Sequence, residues 1–109
     1  MKRGEIWTAS GGPDYAGKPR PVVIIQDSRF DATASMTVCA LTSLEADAPL
    51  ARPAVEPTEA NGLRVRSRLM VDKISTVPKK RLGYRLGMLD SEDLIRLHRA
   101  IAVFLGLAG

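Results

Sequence analysis

Lys18-Pro19-Arg20-Pro21-Val22-Val23-Ile24-Ile25-Gln26 is the stretch that decides the fold. Four branched aliphatic residues in succession, Val22 to Ile25, are expected of a strand buried on both faces, here Pro21 to Gln26. The prolines on either side of Arg20 restrict the backbone where a loop enters that strand, so the guanidinium has a fixed base. On the N-terminal side, Ser10 to Lys18 holds Gly11, Gly12, Pro13, Asp14 and Gly17, the composition of a flexible loop. Before it, Glu5 to Ala9 carries Ile6, Trp7 and Thr8, all strand formers. On the C-terminal side, Met36 to Ser43 reads as another strand. Three prolines between Ala46 and Gly62 (Pro49, Pro53, Pro57) leave room only for a short edge strand around Ala54–Glu56.

Farther along, Arg68 to Val77 reads as one strand with Leu69, Val71 and Ile74 directed inward, and Tyr84 to Leu89 as a last short strand. The period then changes. Asp90 caps a helix whose first turn carries Ser91, Glu92 and Asp93. Leu94, Leu97, Ile101, Phe104 and Leu105 recur at helical spacing on one face, and Gly106 ends the helix. Short strands followed by one C-terminal helix predict an α+β fold. Its sheet is small, curled and mostly antiparallel, close to an SH3-like barrel, and packed by the helix. The 109 residues form one domain, 1–109. A core this small favours association into a homodimer.

Charge is unevenly spread. The net charge is +4. Arg64 to Arg85 holds eight cations (Arg64, Arg66, Arg68, Lys73, Lys79, Lys80, Arg81, Arg85) against the single acid Asp72. Glu45 to Glu59 is acidic, with Glu45, Asp47, Glu56 and Glu59 against Arg52. A basic segment this dense can neutralise phosphates, although charge alone favours the reading of a solvated face. One cysteine, Cys39, and one histidine, His98, allow no intrachain disulfide and no metal site built on cysteine and histidine. Metal ligands and cofactors are therefore not expected. The opening Met1-Lys2-Arg3-Gly4-Glu5 lacks the apolar stretch of a secretory signal, and no run approaches the ~20 apolar residues of a membrane span. A cytoplasmic protein with no membrane partner is expected.

Most familiar catalytic devices are missing. One histidine cannot supply an acid–base pair, and His98 lies on the apolar side of the helix, where it reads as a packing residue. Cys39 sits in an apolar strand without an evident histidine partner and reads as a buried thiol. There is no phosphate-binding glycine loop, dinucleotide glycine pattern or serine elbow. What remains is a set of placements. Arg20 stands at the mouth of one strand, Thr42 and Ser43 end another, and Asp72 lies inside the basic segment.

The succession of motifs carries a resemblance. Gly4-Glu5-Ile6-Trp7, then Gly17-Lys18-Pro19-Arg20-Pro21-Val22-Val23-Ile24-Ile25-Gln26, resembles the opening of MazF/PemK toxins. Cys39-Ala40-Leu41-Thr42-Ser43 resembles their second motif, an aliphatic strand ending in a reactive-site Thr or Ser. Leu69-Met70-Val71-Asp72-Lys73-Ile74-Ser75-Thr76-Val77 resembles the third, an acid-containing strand. The match spans nearly the whole chain in the right order. It implies the fold shared by MazF and CcdB, with Arg20 and Thr42 as the catalytic pair and Asp72 beside them. Asp14, Lys18, Ser43, Lys73, Lys79 and Arg81 are the substrate-binding candidates. Some members carry an Arg two residues before the third-motif acid; here that position is Met70.

The activity implied is that of the toxin of a type II toxin–antitoxin system, a sequence-specific, metal-independent endoribonuclease. Single-stranded RNA supplies its own nucleophile, the 2′-hydroxyl, and leaves a 2′,3′-cyclic phosphate and a 5′-hydroxyl. Arg20 and Thr42 would stabilise charge on the phosphate, and Asp14 and Asp72 are the available bases. The implied partners are an antitoxin protein and a second copy of the chain, with DNA reached only through the antitoxin. Two other readings stand beside this one. A CcdB-like gyrase-binding toxin would end in Trp-Gly, whereas this chain ends Leu105-Gly106-Leu107-Ala108-Gly109 and its only tryptophan is Trp7. A non-catalytic RNA-binding module would use the basic face alone.

Overall fold

In the computed structural model, which describes residues 1–11, 18–45 and 51–108, the aliphatic run forms strand β2, Arg20–Ile24. It lies between β1, Glu5–Ala9, and β3, Ser35–Thr42, antiparallel to both. The remaining strands are β4 (Ala54–Val55), β5 (Ser67–Leu69), β6 (Ser75–Pro78) and β7 (Leu82–Met88). The path across the sheet is β4-β5-β3-β2-β1-β7, and β6 joins it by pairing with β3. Register shifts where β7 passes β1, at Ile6/Trp7 and Trp7/Ala9, bend that edge and help the sheet curl into a half-barrel.

The central run is buried on both sides, as the sequence predicts. Val23 points into a core shared with Ile6, Cys39, Leu41, Leu69 and the helix residues Leu97 and Ala100. Val22 and Ile24 point into a second cluster with Met36, Val38, Ala40 and Val77. Burying each such side chain contributes roughly 1.5–3 kcal/mol, and alternation along β2 serves both clusters at once.

Helix α1 spans Ser91–Phe104, and the Asp90 side chain accepts the Asp93 N–H at 2.8 Å. Its end is a Schellman closure. Gly106 takes φ +75, Leu107 N–H donates to the Ala102 carbonyl at 2.7 Å, and Gly106 N–H donates to that of Val103 at 3.1 Å. Leu97 and Ala100 are buried, but the expected apolar face does not stay covered. Phe104 is 50% and Leu105 58% exposed. No helix is long and apolar enough to cross a membrane among the described residues.

One expected element is divided. The segment read as a single strand from Arg68 to Val77 is β5, then a 3₁₀ turn at Val71–Lys73, then β6. Leu69 and Val71 alternate into the helix-side core, but the next inward side chain is Ile74, and that shift in parity is the break. The division gives β3 two partners on one edge. Ser35–Val38 pairs with β6, whereas Leu41 and Thr42 pair with β5.

Candidate active site

The division of β5 from β6 opens the site. Met70 N–H donates to the Ala40 carbonyl at 2.9 Å, and the chain then leaves β3 through the 3₁₀ turn. A cleft of about 350 Å³ lies there, lined by Arg20, Thr42, Ser43, Leu44, Lys73 and Ser75, with Ala40, Leu41 and Met70 completing it.

Strand register aligns its two central residues. Val22 of β2 faces Ala40 of β3, the last pair of that ladder, and alternation two residues farther on puts Arg20 and Thr42 on the same face, where both line the cleft. Thr42 in turn faces Arg68 of β5. Opposed residues of an antiparallel pair project from the same face with Cα atoms about 5 Å apart. Three positions far apart in sequence therefore form one row across the sheet.

Arg20 is exposed and makes no ion pair among the described residues. Its five N–H donors face open solvent, a form suited to two-pronged binding of a phosphate. Thr42 Oγ1 accepts the Leu44 N–H at 3.2 Å. With that acceptor position filled from the backbone, the hydroxyl proton is left to donate into the cleft. Ser43 adds a second hydroxyl and Lys73 a positive charge.

Asp72 is placed differently from the expectation. Its neighbour Lys73 lines the cleft, but the Asp72 carboxylate is gripped by Arg52, with Nε on Oδ1 at 3.0 Å and Nη2 on Oδ2 at 3.1 Å. The Arg52 hydrogen bonds hold the Asp72 carboxyl below the ordinary carboxylate range, against an opposing effect of burial. A carboxylate so held is a weak base.

The remaining predicted residues divide. Lys18 is exposed two residues ahead of Arg20. Arg81 sits at the same end of the sheet, since its neighbour Leu82 faces Ala9, which faces Arg20. Its side chain lies against Gly11, where an added Cβ would stand 3.2 Å from Arg81 Nε. Lys79 is not brought to the cleft. It binds Asp31 through both carboxylate and carbonyl at the start of β3, roughly 23 Å of strand away from Thr42. Asp14 lies outside the described residues.

The uniform basic face expected from Arg64 to Arg85 is likewise divided. Arg66 pairs with Glu45 and Glu56, Arg68 with Glu45, Lys79 with Asp31 and Arg85 with Glu5. Arg64, Lys73, Lys80 and Arg81 have no ion-pair partner among the described residues. Cys39 is the buried thiol the sequence predicts, with burial first and the nearby Asp72 charge second pushing its pKa up to about 12. His98 is partly buried, and its Nε2 accepts from Arg3 Nε at 2.9 Å. Leu44 and Ser75 are not singled out by the sequence, which names Arg68 only within the basic segment and Met70 only as a departure from the family pattern. Strand alternation places Arg68 and Met70 on one face, but only the register shows that this face carries Thr42.

A curled antiparallel half-barrel with one C-terminal helix, carrying beside Thr42 an arginine with no ion pair among the described residues, defines the class of the protein. The comparisons with known proteins make that class specific. The model of the PemK-like, MazF-like toxins of type II toxin–antitoxin systems matches residues 2–105, and the chain belongs to that family. It is similar over 109 residues, at 55% identity, to the probable endoribonuclease MazF of Mycolicibacterium smegmatis, with 100% of both chains covered. It is 29% identical over 113 residues to the endoribonuclease EndoA of Bacillus subtilis, covering 98% of this chain and 96% of the relative. Among solved structures, the Mycobacterium tuberculosis toxin MazF-mt6 superposes with a TM-score of 0.80 at 25% identity, covering 96% of this chain and 99% of that one. A mycobacterial endoribonuclease in complex with its cognate antitoxin gives a TM-score of 0.81 at 24% identity, covering 100% of this chain and 98% of that one.

Proposed function

We propose that this toxin is a metal-independent endoribonuclease that cuts single-stranded RNA by attack of the 2′-hydroxyl on the adjacent phosphorus. The P–O5′ bond breaks as Arg20 gives a proton to the leaving oxygen, leaving a 2′,3′-cyclic phosphate and a 5′-hydroxyl, and the proton taken from the 2′-hydroxyl returns to Arg20 through solvent. Arg20 holds the non-bridging oxygens through two N–H groups and stabilises the charge that builds on them. Thr42 donates a hydrogen bond to the same phosphate, and Ser43, Lys73, Lys18 and Arg81 hold the flanking chain. Asp72, committed to Arg52, is a positioning residue that fixes the 3₁₀ turn bearing Lys73. Of the two acids singled out by the sequence, Asp14 is then the acceptor of the 2′-hydroxyl proton.

The observation that carries this reading is that Thr42 and an Arg20 with no ion pair among the described residues line one cleft. The exposed side chains at the end of α1 (Val103, Phe104, Leu105 and Leu107) offer an apolar surface for pairing two copies. The cognate antitoxin blocks the cleft with an acidic segment matched to its unpaired cations, and DNA is reached only through that antitoxin. The working compartment is the cytoplasm.

The test is single-turnover cutting of a randomised single-stranded RNA pool in the presence of EDTA. Arg20→Ala should lose ~10²–10³-fold in rate with its melting temperature kept, because Arg20 is exposed and its removal opens no cavity. Arg20→Lys should recover little, since a point charge cannot reproduce the two-pronged contact. Near wild-type cutting by Arg20→Ala would remove this site assignment.

A further inference from the structure

The row across the sheet does not stop at Thr42. Arg68 faces Thr42 from β5, so a second guanidinium rises from the same face of the sheet as Arg20. Two strand spacings separate them, about 10 Å between Cα atoms, with the Thr42 hydroxyl between. An RNA strand crossing the sheet along this row, with its scissile phosphate on Arg20 and Thr42, carries a neighbouring phosphate toward Arg68.

Arg68 is already occupied. Its Nε and Nη2 donate to Glu45 Oε2 at 2.9 and 2.8 Å, and Nη1 donates to the Arg52 carbonyl at 2.9 Å. The three contacts differ in kind. The Arg52 carbonyl is fixed by the backbone, whereas the Glu45 side chain is 65% exposed and follows the strand end that carries Thr42. Glu45 also spreads its charge to Arg66 at 3.4 Å. An exposed carboxylate shared between two arginines is weakly held. It places one anionic oxygen, Oε2, between Nε and Nη2 of the Arg68 guanidinium, where an oxygen of a phosphate would sit.

We propose that Arg68 is a second phosphate-binding arginine of the RNA site and that Glu45 occupies it in the RNA-free protein as a phosphate mimic. This rests on the ribonuclease reading of the cleft. RNA entry exchanges Glu45 for a phosphate next to the one that is cut, and Glu45 swings to solvent. The Arg52 carbonyl keeps Arg68 extended throughout, so the exchange needs no movement of β5.

The experiment first takes the cut sequence from the randomised pool. An oligonucleotide of that sequence, carrying 2′-deoxyribose at the cut position, is then titrated at a series of salt concentrations. Binding is compared for wild type, Glu45→Gln, Arg68→Gln and the double variant, with melting temperatures measured beside. Glu45→Gln should bind about two- to fivefold more tightly, the range open to release of one exposed ion pair. Arg68→Gln should bind more weakly and lower the slope of log affinity against log salt by about 0.7, one single-strand phosphate contact. In the Arg68→Gln background, Glu45→Gln should lose most of its effect, keeping only the part exerted through Arg66.

An unchanged salt slope for Arg68→Gln, with only a lowered melting temperature, makes Arg68 a structural clamp and overturns the proposal. An equal gain from Glu45→Gln in both backgrounds assigns the effect to the general field of the surface and also overturns it. So does tighter binding of an acidic antitoxin peptide with RNA binding unmoved. A wild-type protein that cuts no RNA in the pool removes the ribonuclease reading itself, a result distinct from all three.

Discussion

Asp72→Asn separates a strut from a base. In the structure Asp72 receives two N–H donors from Arg52 at 3.0 and 3.1 Å, with side-chain exposures of 29% for Asp72 and 16% for Arg52. Fully exposed pairs couple by ~0.2–1 kcal/mol, and this one belongs at the upper end because both prongs are made and Arg52 is largely covered. Discounted for the water that still reaches Asp72, the expected coupling is about 1 kcal/mol. For a chain of this length that is roughly 4–6 °C in melting temperature. The assay is a double-mutant cycle of Arg52→Ala and Asp72→Asn, followed by thermal or urea unfolding at neutral pH. Each single variant should lose about the same stability, and the double variant little more. The sign with pH follows from the lowered Asp72 pKa. The pair's contribution is fully present above the ordinary carboxylate value of 3.8 and is lost as pH falls through the lower folded value. Cutting should fall less than tenfold in Asp72→Asn, through a loosened Lys73. A loss of 10²-fold or more at unchanged stability would identify Asp72 as the proton acceptor and refute the strut.

Two further outcomes are expected. Thr42→Val keeps the shape of a strand-end side chain but removes the hydroxyl, so single-turnover cutting should drop by ~10-fold, less than for Arg20→Ala; an equal drop would make the hydroxyl the dominant group. His98 is pushed below its ordinary 6.5, first by burial and then by the Arg3 charge. The unfolded chain therefore binds the proton more readily, and stability should rise with pH between the lowered folded value and 6.5. His98→Gln should flatten urea midpoints across that window, and an unchanged pH profile would count against the Arg3–His98 contact.

The parts of the fold governed by local rules were legible in the sequence. Val22 to Ile25 declares a strand covered on both faces, and Asp90 with Gly106 marks the limits of the helix to within a residue or two. Arg68 to Val77 was misjudged as one strand because apolar residues continue through the turn. The inward set passes from odd to even numbers between Val71 and Ile74, and that is the local trace of the break. The cleft follows from it, so its lining by Leu44, Met70 and Ser75 could not be read along the chain. Arg20 and Thr42 were legible by resemblance, but their shared face is a matter of register. The pairings of Asp72 with Arg52 and Arg68 with Glu45 join the acidic stretch to the basic one, and composition alone places them only as two separate blocks.

The change of partner along β3 has a consequence for how such proteins diversify. Arg20 and Thr42 hang from strands whose inward residues cannot vary without loss of the core, whereas Leu44 and Lys73 stand where pairing lapses. Selection can rewrite the second group while the first is locked. A lineage can therefore keep the two strands that bear Arg20 and Thr42 intact while the lining of the cleft changes by a few residues at one seam.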